Sequence, residues 1–346
     1  MVFELSDSLI DDRILSNQIL RNSLHNLFLG YVEGNLLLSL SPKLMDFLEE
    51  RLTDDFSKRV INHFQHRVFA HYDVLFLTKV VLENPNLDNN ELAIDFFKNT
   101  SAIQPPILLC ENLDDTKFYF SLCREYFGIN NINAKNGQGA GGSSVADNLE
   151  HIVNNQDRFC LCIVDSDIKY PDCDDGGTYV AIKNKNLVPH PSYDVYQLKV
   201  HEIENLIPID IISRSIKNKS DRDFSKRLKD IDHDGDILKY YDIKEGIKLS
   251  KIQASPKYYS FAKDIFDRLN KRVAPNAFDS YLNSLTRKKS DQVFAQLCPG
   301  ILEKFLSIDT RYNVKFVYCD YLREEWNSIR NIVVAFFCCR EDVPIN

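Results

Sequence analysis

The chain lacks most of the signatures that assign a chemistry at sight. Among its 346 residues there is no stretch of 18 uninterrupted apolar positions, and Met1-Val-Phe-Glu-Leu-Ser-Asp7 is acidic, with no basic leader. These absences predict a soluble, cytoplasmic protein with no membrane partner. Nine cysteines (110, 123, 160, 162, 173, 298, 319, 338 and 339) form no Cys-x-x-Cys pair. That argues against zinc sites and disulfides and for reduced thiols in the core. No Lys-Ser/Thr follows a glycine-rich turn, so there is no P-loop; nor is there a good dinucleotide fingerprint or a Gly-x-Ser-x-Gly elbow. Repeats and low-complexity tracts are missing, and tryptophan occurs once, at Trp326. The net charge of −8 argues against coating of nucleic acid by the whole surface, yet leaves room for a local basic patch.

What is present is a pair of apolar runs, each ending in acid. Pro106 to Cys110 leads into Glu111-Asn-Leu-Asp114-Asp115, and Phe159 to Val164 leads into Asp165-Ser-Asp167. Continuous runs of Ile, Leu, Val and Cys at strand length are those of strands buried on both faces of a parallel sheet. The carboxylates then emerge at strand C-termini, the edge where open α/β sheets bind ligands. Between the runs, Phe118, Leu122 and Phe127 mark the apolar face of a helix that Asp114 or Asp115 can cap. A short strand is expected at 129–134. The segment Asn136-Gly-Gln-Gly-Ala-Gly-Gly-Ser-Ser144 is a close backbone approach of some kind, either a tight structural turn or a phosphate cradle, and a helix follows from Val145 to Asn155. Alternating strands and helices predict a mostly parallel α/β sheet flanked by helices.

Around this core the pattern divides the chain into three. Residues 1–103 read as a helical N-terminal region, with Val60, Phe64, Val68 and Leu75 near helical spacing and breaks at Gly30, Ser41-Pro42 and Asn84-Pro85. Gln104-Pro105-Pro106 cannot continue a helix and opens an α/β domain over 104–210. Residues 211–346 read as mainly helical, with a last helix from Tyr318 to Phe337. Within the α/β domain, a strand at 195–200 runs into His201-Glu202-Ile-Glu204-Asn205. Beyond it, Arg214, Lys217, Lys219, Arg222, Lys226, Arg227 and Lys229, joined by Arg287-Lys288-Lys289, form either a phosphate-neutralising face or a merely solvated one.

Singly, each acid has an ordinary role as a cap, a turn residue or a surface charge. Together, an Asp-x-Asp at a strand end sets two carboxylates close, and their repulsion calls for a cation or a proton. Mg²⁺, with Mn²⁺ as a substitute, prefers carboxylate oxygens and keeps positions open for phosphate. Such ions suit in-line phosphodiester cleavage. The runs Asp172-Cys-Asp-Asp175 and Asp230-Ile-Asp-His-Asp-Gly-Asp236 lack the ligand pattern and closing Glu of a calcium loop, and read as a loop and a turn. His201 beside Glu202 can serve as an acid or base, or simply pack.

At these positions the chain resembles a TOPRIM domain, the metal-binding fold of topoisomerases, primases and OLD-type nucleases. That family places a Glu after the first strand, usually as Glu-Gly with an Asp shortly after, and an Asp-x-Asp after a later strand. Glu111, Asp115 and Asp165-Ser-Asp167 occupy those places, with Asn112 where the glycine usually stands. Glu204-Asn205 resembles the Glu-Asn segment of OLD-like phage-defence effectors. Tyr241-Asp-Ile-Lys244-Glu-Gly246 and Glu325-Trp326 resemble them more loosely. The resemblance spans about 104 to 246. It implies a TOPRIM-like (Rossmann-like) sheet and a Mg²⁺-dependent endonuclease acting on DNA, RNA or tRNA as an antiviral effector. Glu111, Asp165, Asp167 and Glu204 would bind metal, Asp115 would complete the shell, and Lys199 or Lys244 would face phosphate. Because no Walker motif is present, the resemblance implies a separate ABC-type ATPase partner; a homodimer stays open. The rival reading is a non-catalytic TOPRIM-like binding or regulatory subunit. A primase or topoisomerase module lacks support from any zinc ribbon or evident tyrosine cleavage domain.

Overall fold

Two short apolar runs near the start of the chain lie side by side in the computed structural model, which describes residues 1–65, 77–127, 132–271, 274–307 and 319–339. They are Val2–Leu5 (β1) and Leu37–Leu40 (β2), parallel, with Val2 opposite Leu37 and Leu5 opposite Leu40. Leu77–Val81 (β3) pairs parallel with β1, and Glu91–Ala93 (β4) pairs parallel with β3, giving the order β2-β1-β3-β4. The expected all-helical N-terminal region is therefore corrected. It contains the helices Gln18–Val32, Pro42–Arg51 and Asp55–Gln65, but also a four-stranded sheet. Strands of three to five residues with mixed composition, such as Leu-Thr-Lys-Val-Val and Glu-Leu-Ala, are too short for periodicity to separate them from helix. Val68 and Leu75 lie outside the described residues.

The breaks expected in this region differ in kind. Ser41 caps a helix, its Oγ accepting the Leu44 N–H at 3.1 Å with Pro42 at the first helical position. Gly30 breaks nothing. It sits inside Gln18–Val32, where a Cβ would meet Leu36 Cδ2 at 2.8 Å and Ile103 Cβ at 2.9 Å, so glycine here serves packing.

The second sheet is built from Ile107–Cys110 (β5), Gly137–Gly139 (β6), Cys160–Val164 (β7) and Tyr193–Gln197 (β8), in the order β6-β5-β7-β8. β5 is parallel to both neighbours, with Ile107 opposite Cys160 and Leu108 opposite Gly137. Every residue of β5 and β7 is buried, as their unbroken apolar character demands. The chain is thus α/β, with parallel sheets flanked by helices, compatible with a Rossmann-like fold.

Two expected strands move. The neighbour of β5 is not 129–134, of which 129–131 lie outside the described residues; it is the glycine-rich Gly137–Gly139. There a Cβ on Gly139 would stand 2.5 Å from the Leu113 backbone nitrogen, so the glycines let this strand lie against the start of helix Leu113–Phe127. Over Gly137–Gly139 the glycine segment thus serves an approach of strand to helix. The strand expected at 195–200 is Tyr193–Gln197.

The chain divides into two units, one formed by 1–163, 182–196 and 328–346, the other by 164–181 and 197–327. These bounds differ from the expected divisions after 103 and 210. In the first unit both sheets share one core: Phe3 of β1 packs edge-on against Phe97 at 5.3 Å and at a tilt against Phe159 at 5.4 Å. The Pro-Pro segment is pinned there too, because Pro105 O accepts from Arg158 Nη2 at 2.7 Å. Described helices of the second unit include Lys219–Ile231, Pro256–Asn270 and Ala277–Arg287, with one two-stranded antiparallel pair, Ile247–Lys248 (β9) and Gln292–Phe294 (β10). The last helix is Asp320–Phe337; Tyr318 lies outside the described residues. Among the described residues no helix is long and apolar enough to cross a membrane. Cys110, Cys123, Cys160, Cys162 and Cys298 are buried.

Candidate acidic site

In the first unit β5 delivers Glu111, half-buried, immediately before helix Leu113–Phe127. Of the two candidate caps it is Asp115 that serves: its Oδ2 accepts the Asn112 N–H at 2.8 Å and the residue is 5% exposed. Asp114 pairs with Lys117 at 2.6 Å on the surface. The packing face of this helix includes Phe118 and Leu122, both fully buried; the Phe127 side chain is outside the described set. A cavity of about 610 Å³ in this unit, bordered by Thr78, Asn90, His190, Tyr193 and Asp194, contains none of the expected site residues.

The second unit holds the remaining acids. Asp165 Oδ1 accepts the Ile203 N–H at 3.0 Å, which ties the end of β7 to the segment carrying Glu202 and Glu204. Asp167 adopts φ +54°, a left-handed conformation that Asp tolerates, and its N–H donates to His201 O at 2.9 Å. Between them, the buried Ser166 donates its hydroxyl to Val200 O at 2.6 Å. The loop behind this turn closes through Gly176. Its N–H donates to Ser166 O at 2.9 Å, and a Cβ there would stand 2.5 Å from Asp167 Oδ2. A glycine is therefore required beside the carboxylate.

Around Lys244 the charges concentrate. Its Nζ lies 2.9 Å from Glu202 Oε2 and 3.3 Å from Glu204 Oε2. Burial pushes the Glu204 carboxyl above its usual range and nearby Glu202 adds to this, while Lys244 works the other way. For Lys244 burial opposes the charge, but Glu204, Glu202 and Asp165 outweigh it and raise the ammonium. Of the two expected lysines, Lys244 belongs to this cluster. Lys199 is exposed; its backbone N–H donates to Glu325 Oε1 at 2.9 Å, and no ion pair ties its side chain to the acids among the described residues.

Three residues act as the frame. Asn205 is buried and uses its amide fully, donating to Leu238 O at 2.7 Å and Tyr241 O at 2.8 Å and accepting from Glu202 N at 3.1 Å. Trp326 Nε1 donates to Leu206 O at 3.1 Å, and Glu325 holds Lys199 as above. The Glu-Asn and Glu-Trp dipeptides thus brace the segment that presents Glu202 and Glu204.

The sequence places Glu202 beside Glu204 and His201, but neither Glu202 nor Asp242 belongs to the expected metal set. Glu202 faces Lys244 with one oxygen and His201 Nε2 with the other, at 3.8 Å. Asp242 Oδ2 lies 3.8 Å from the same nitrogen and 3.3 Å from Lys251 Nζ, and its Oδ1 accepts the Glu245 N–H at 2.6 Å. Burial alone would raise Asp242, but His201, the Glu245 N–H and Lys251 hold it down at about 2. The available signal was Tyr241 to Gly246, which contributes both Asp242 and Lys244. Of Asp230 to Asp236, the first two residues end helix Lys219–Ile231 and the rest form the expected turn, in which Asp232 accepts the Ile237, Leu238 and Gly235 N–H groups.

Most of the basic segment lies on helix Lys219–Ile231, with Lys219, Lys226, Arg227 and Lys229 exposed, while Arg214 belongs to helix Ile209–Ser215 and Lys217 to the connection between the two. Part of it is used internally, since Lys229 pairs with Asp210 at 2.6 Å and Arg227 donates to Leu269 O at 2.8 Å. Arg287, Lys288 and Lys289 are exposed as well. Comparison of the chain with protein-family models, with curated proteins and with solved structures finds no match.

Proposed function

We propose that the chain is a Mg²⁺-dependent nuclease whose acids in the second unit are Asp165, Asp167 and Glu204, with Glu202 and Lys244 completing the cluster. The observation that carries this is the gathering of Asp165, Glu202 and Glu204 around a single ammonium. Three carboxylates against one lysine leave negative charge at a half-buried place, where a dication is the natural complement. The donor set fits: carboxylate oxygens are the ligands that a hard dication takes. When bound, such an ion would activate water and steady the leaving oxygen of a phosphodiester.

The chain's own residues have separate tasks in this reading. Asp165, fixed by the Ile203 N–H, and Asp167, fixed by the His201 carbonyl and set against Gly176, supply oxygens from one turn. Glu204 supplies another, from a segment that Asn205 locks. Lys244 is the cation already in place, suited to a phosphate oxygen once the acids are occupied. Glu111, which follows β5 in the first unit, keeps the role that the sequence pattern gives it, and a substitution of its own tests it.

Purified protein incubated with plasmid, linear DNA, total RNA and tRNA in Mg²⁺ or Mn²⁺ tests the reading. Cleavage is expected in at least one substrate class, stopped by EDTA and lost in Glu111→Ala. Metal-independent cleavage, or cleavage retained by Glu111→Ala, contradicts this assignment.

A further inference from the structure

His201 is 1% exposed, and neither of its ring nitrogens has a hydrogen-bond partner among the described residues. Buried imidazoles usually satisfy at least one nitrogen, so this ring calls for an explanation. Its Nε2 faces Glu202 Oε1 and Asp242 Oδ2, each at 3.8 Å, too far for a hydrogen bond. One ligand atom from each of the three residues lies within 4.8 Å of the other two. Two coordination bonds of about 2.1 Å together reach about 4.2 Å, so one ion can span a gap that a shared proton cannot.

We propose that His201, Glu202 and Asp242 bind one transition-metal dication of the zinc class through Nε2, Oε1 and Oδ2. The imidazole is what separates this site from the all-oxygen set of Asp165, Asp167 and Glu204, because nitrogen ligands favour zinc-like ions and hard oxygens favour magnesium. Two carboxylates and a dication are charge-neutral, which suits the burial. The remaining atoms are already arranged for it. Glu202 keeps its other oxygen on Lys244 at 2.9 Å, and Asp242 keeps Oδ1 on the Glu245 N–H at 2.6 Å. Lys251, 3.3 Å from Asp242 Oδ2, is also paired with Glu245 Oε2 at 2.8 Å and can turn wholly to it. The His201 carbonyl accepts the Asp167 N–H at 2.9 Å, so an ion fixing this ring also braces the Asp165-Ser-Asp167 turn. That bracing role rests on the proposed function; the binding itself does not.

Calorimetric titration of the whole chain, stripped with chelator, with Zn²⁺ alone tests the site. One tightly held ion per chain is expected, with binding at least tenfold weaker in His201→Gln and in Asp242→Asn but unchanged in Asp114→Asn, a surface carboxylate paired with Lys117. The Co²⁺ form is expected to lack a thiolate charge-transfer band. No zinc uptake by the wild type, equal affinity in His201→Gln, or a thiolate band would overturn the proposal. If circular dichroism shows that His201→Gln fails to fold, Glu202→Gln takes its place: tenfold loss supports the site and unchanged affinity overturns it. None of these readouts uses cleavage, so a protein that cuts nothing yet loses zinc with His201 sinks the nuclease reading alone.

Discussion

At Lys244 one ammonium compensates Glu202 and Glu204, so a substitution there tests charge before shape. Lys244→Met is expected to cost about 1–2 kcal/mol, less than the several kcal/mol of a fully buried pair because the lysine is partly solvated. Adding Glu204→Gln should restore part of that loss, since the buried carboxyl then needs no counter-charge. Chemical denaturation of the two single variants and the double variant gives the coupling; additive losses would mean that the pair does not interact. The thiols offer a second check at this scale. Burial pushes Cys160 up to about 12, and it is fully buried. It should resist iodoacetamide at pH 8 while half-buried Cys173 labels, and react only when the protein opens. Mass spectrometry of labelled peptides reads this directly.

At the scale of elements, β6 meets helix Leu113–Phe127 through glycine. Gly139→Ala places a methyl against backbone, which cannot swing aside, and is expected to destabilise by about 1–3 kcal/mol. A lowered unfolding midpoint checks it; an unchanged one would show that the strand can shift. The same junction shows what was legible in the sequence. β5 and β7 could be read because unbroken Ile, Leu, Val and Cys leave a buried strand as the natural reading. β6 could not, since Gly-Gln-Gly has no side-chain pattern to read. β1 to β4 were hidden by their shortness beside strongly helical neighbours. A similar limit applies to the candidate site: Asp165 and Asp167 announce themselves at the end of β7, and Glu204 through the Glu-Asn pair. Asp242 and Lys251 arrive from a distant segment, held there by Asn205 and the Tyr241 carbonyl, and no spacing rule relates them to β7.

For the molecule as a whole, a charge of −8 and an exposed basic helix make opposite demands on a nucleic-acid partner. Long-range repulsion disfavours approach, while Lys219 and Lys226 can neutralise phosphates locally. If they do, Lys219→Glu with Lys226→Glu should weaken binding across all sequences. The slope of log affinity against log salt should fall by about 0.9 for each duplex phosphate that is no longer neutralised, or about 0.7 on single strands. An unchanged slope would make this a solvated face. The central claim, that the carboxylates following β7 serve phosphodiester cleavage, has a more direct test. It is the Mg²⁺-dependent cleavage rate of the wild type beside Asp165→Ala/Asp167→Ala, with folding of both confirmed by circular dichroism. The expected loss exceeds the roughly 10–100-fold cost of removing a supporting residue. A folded double variant that cuts as fast as the wild type would contradict the claim.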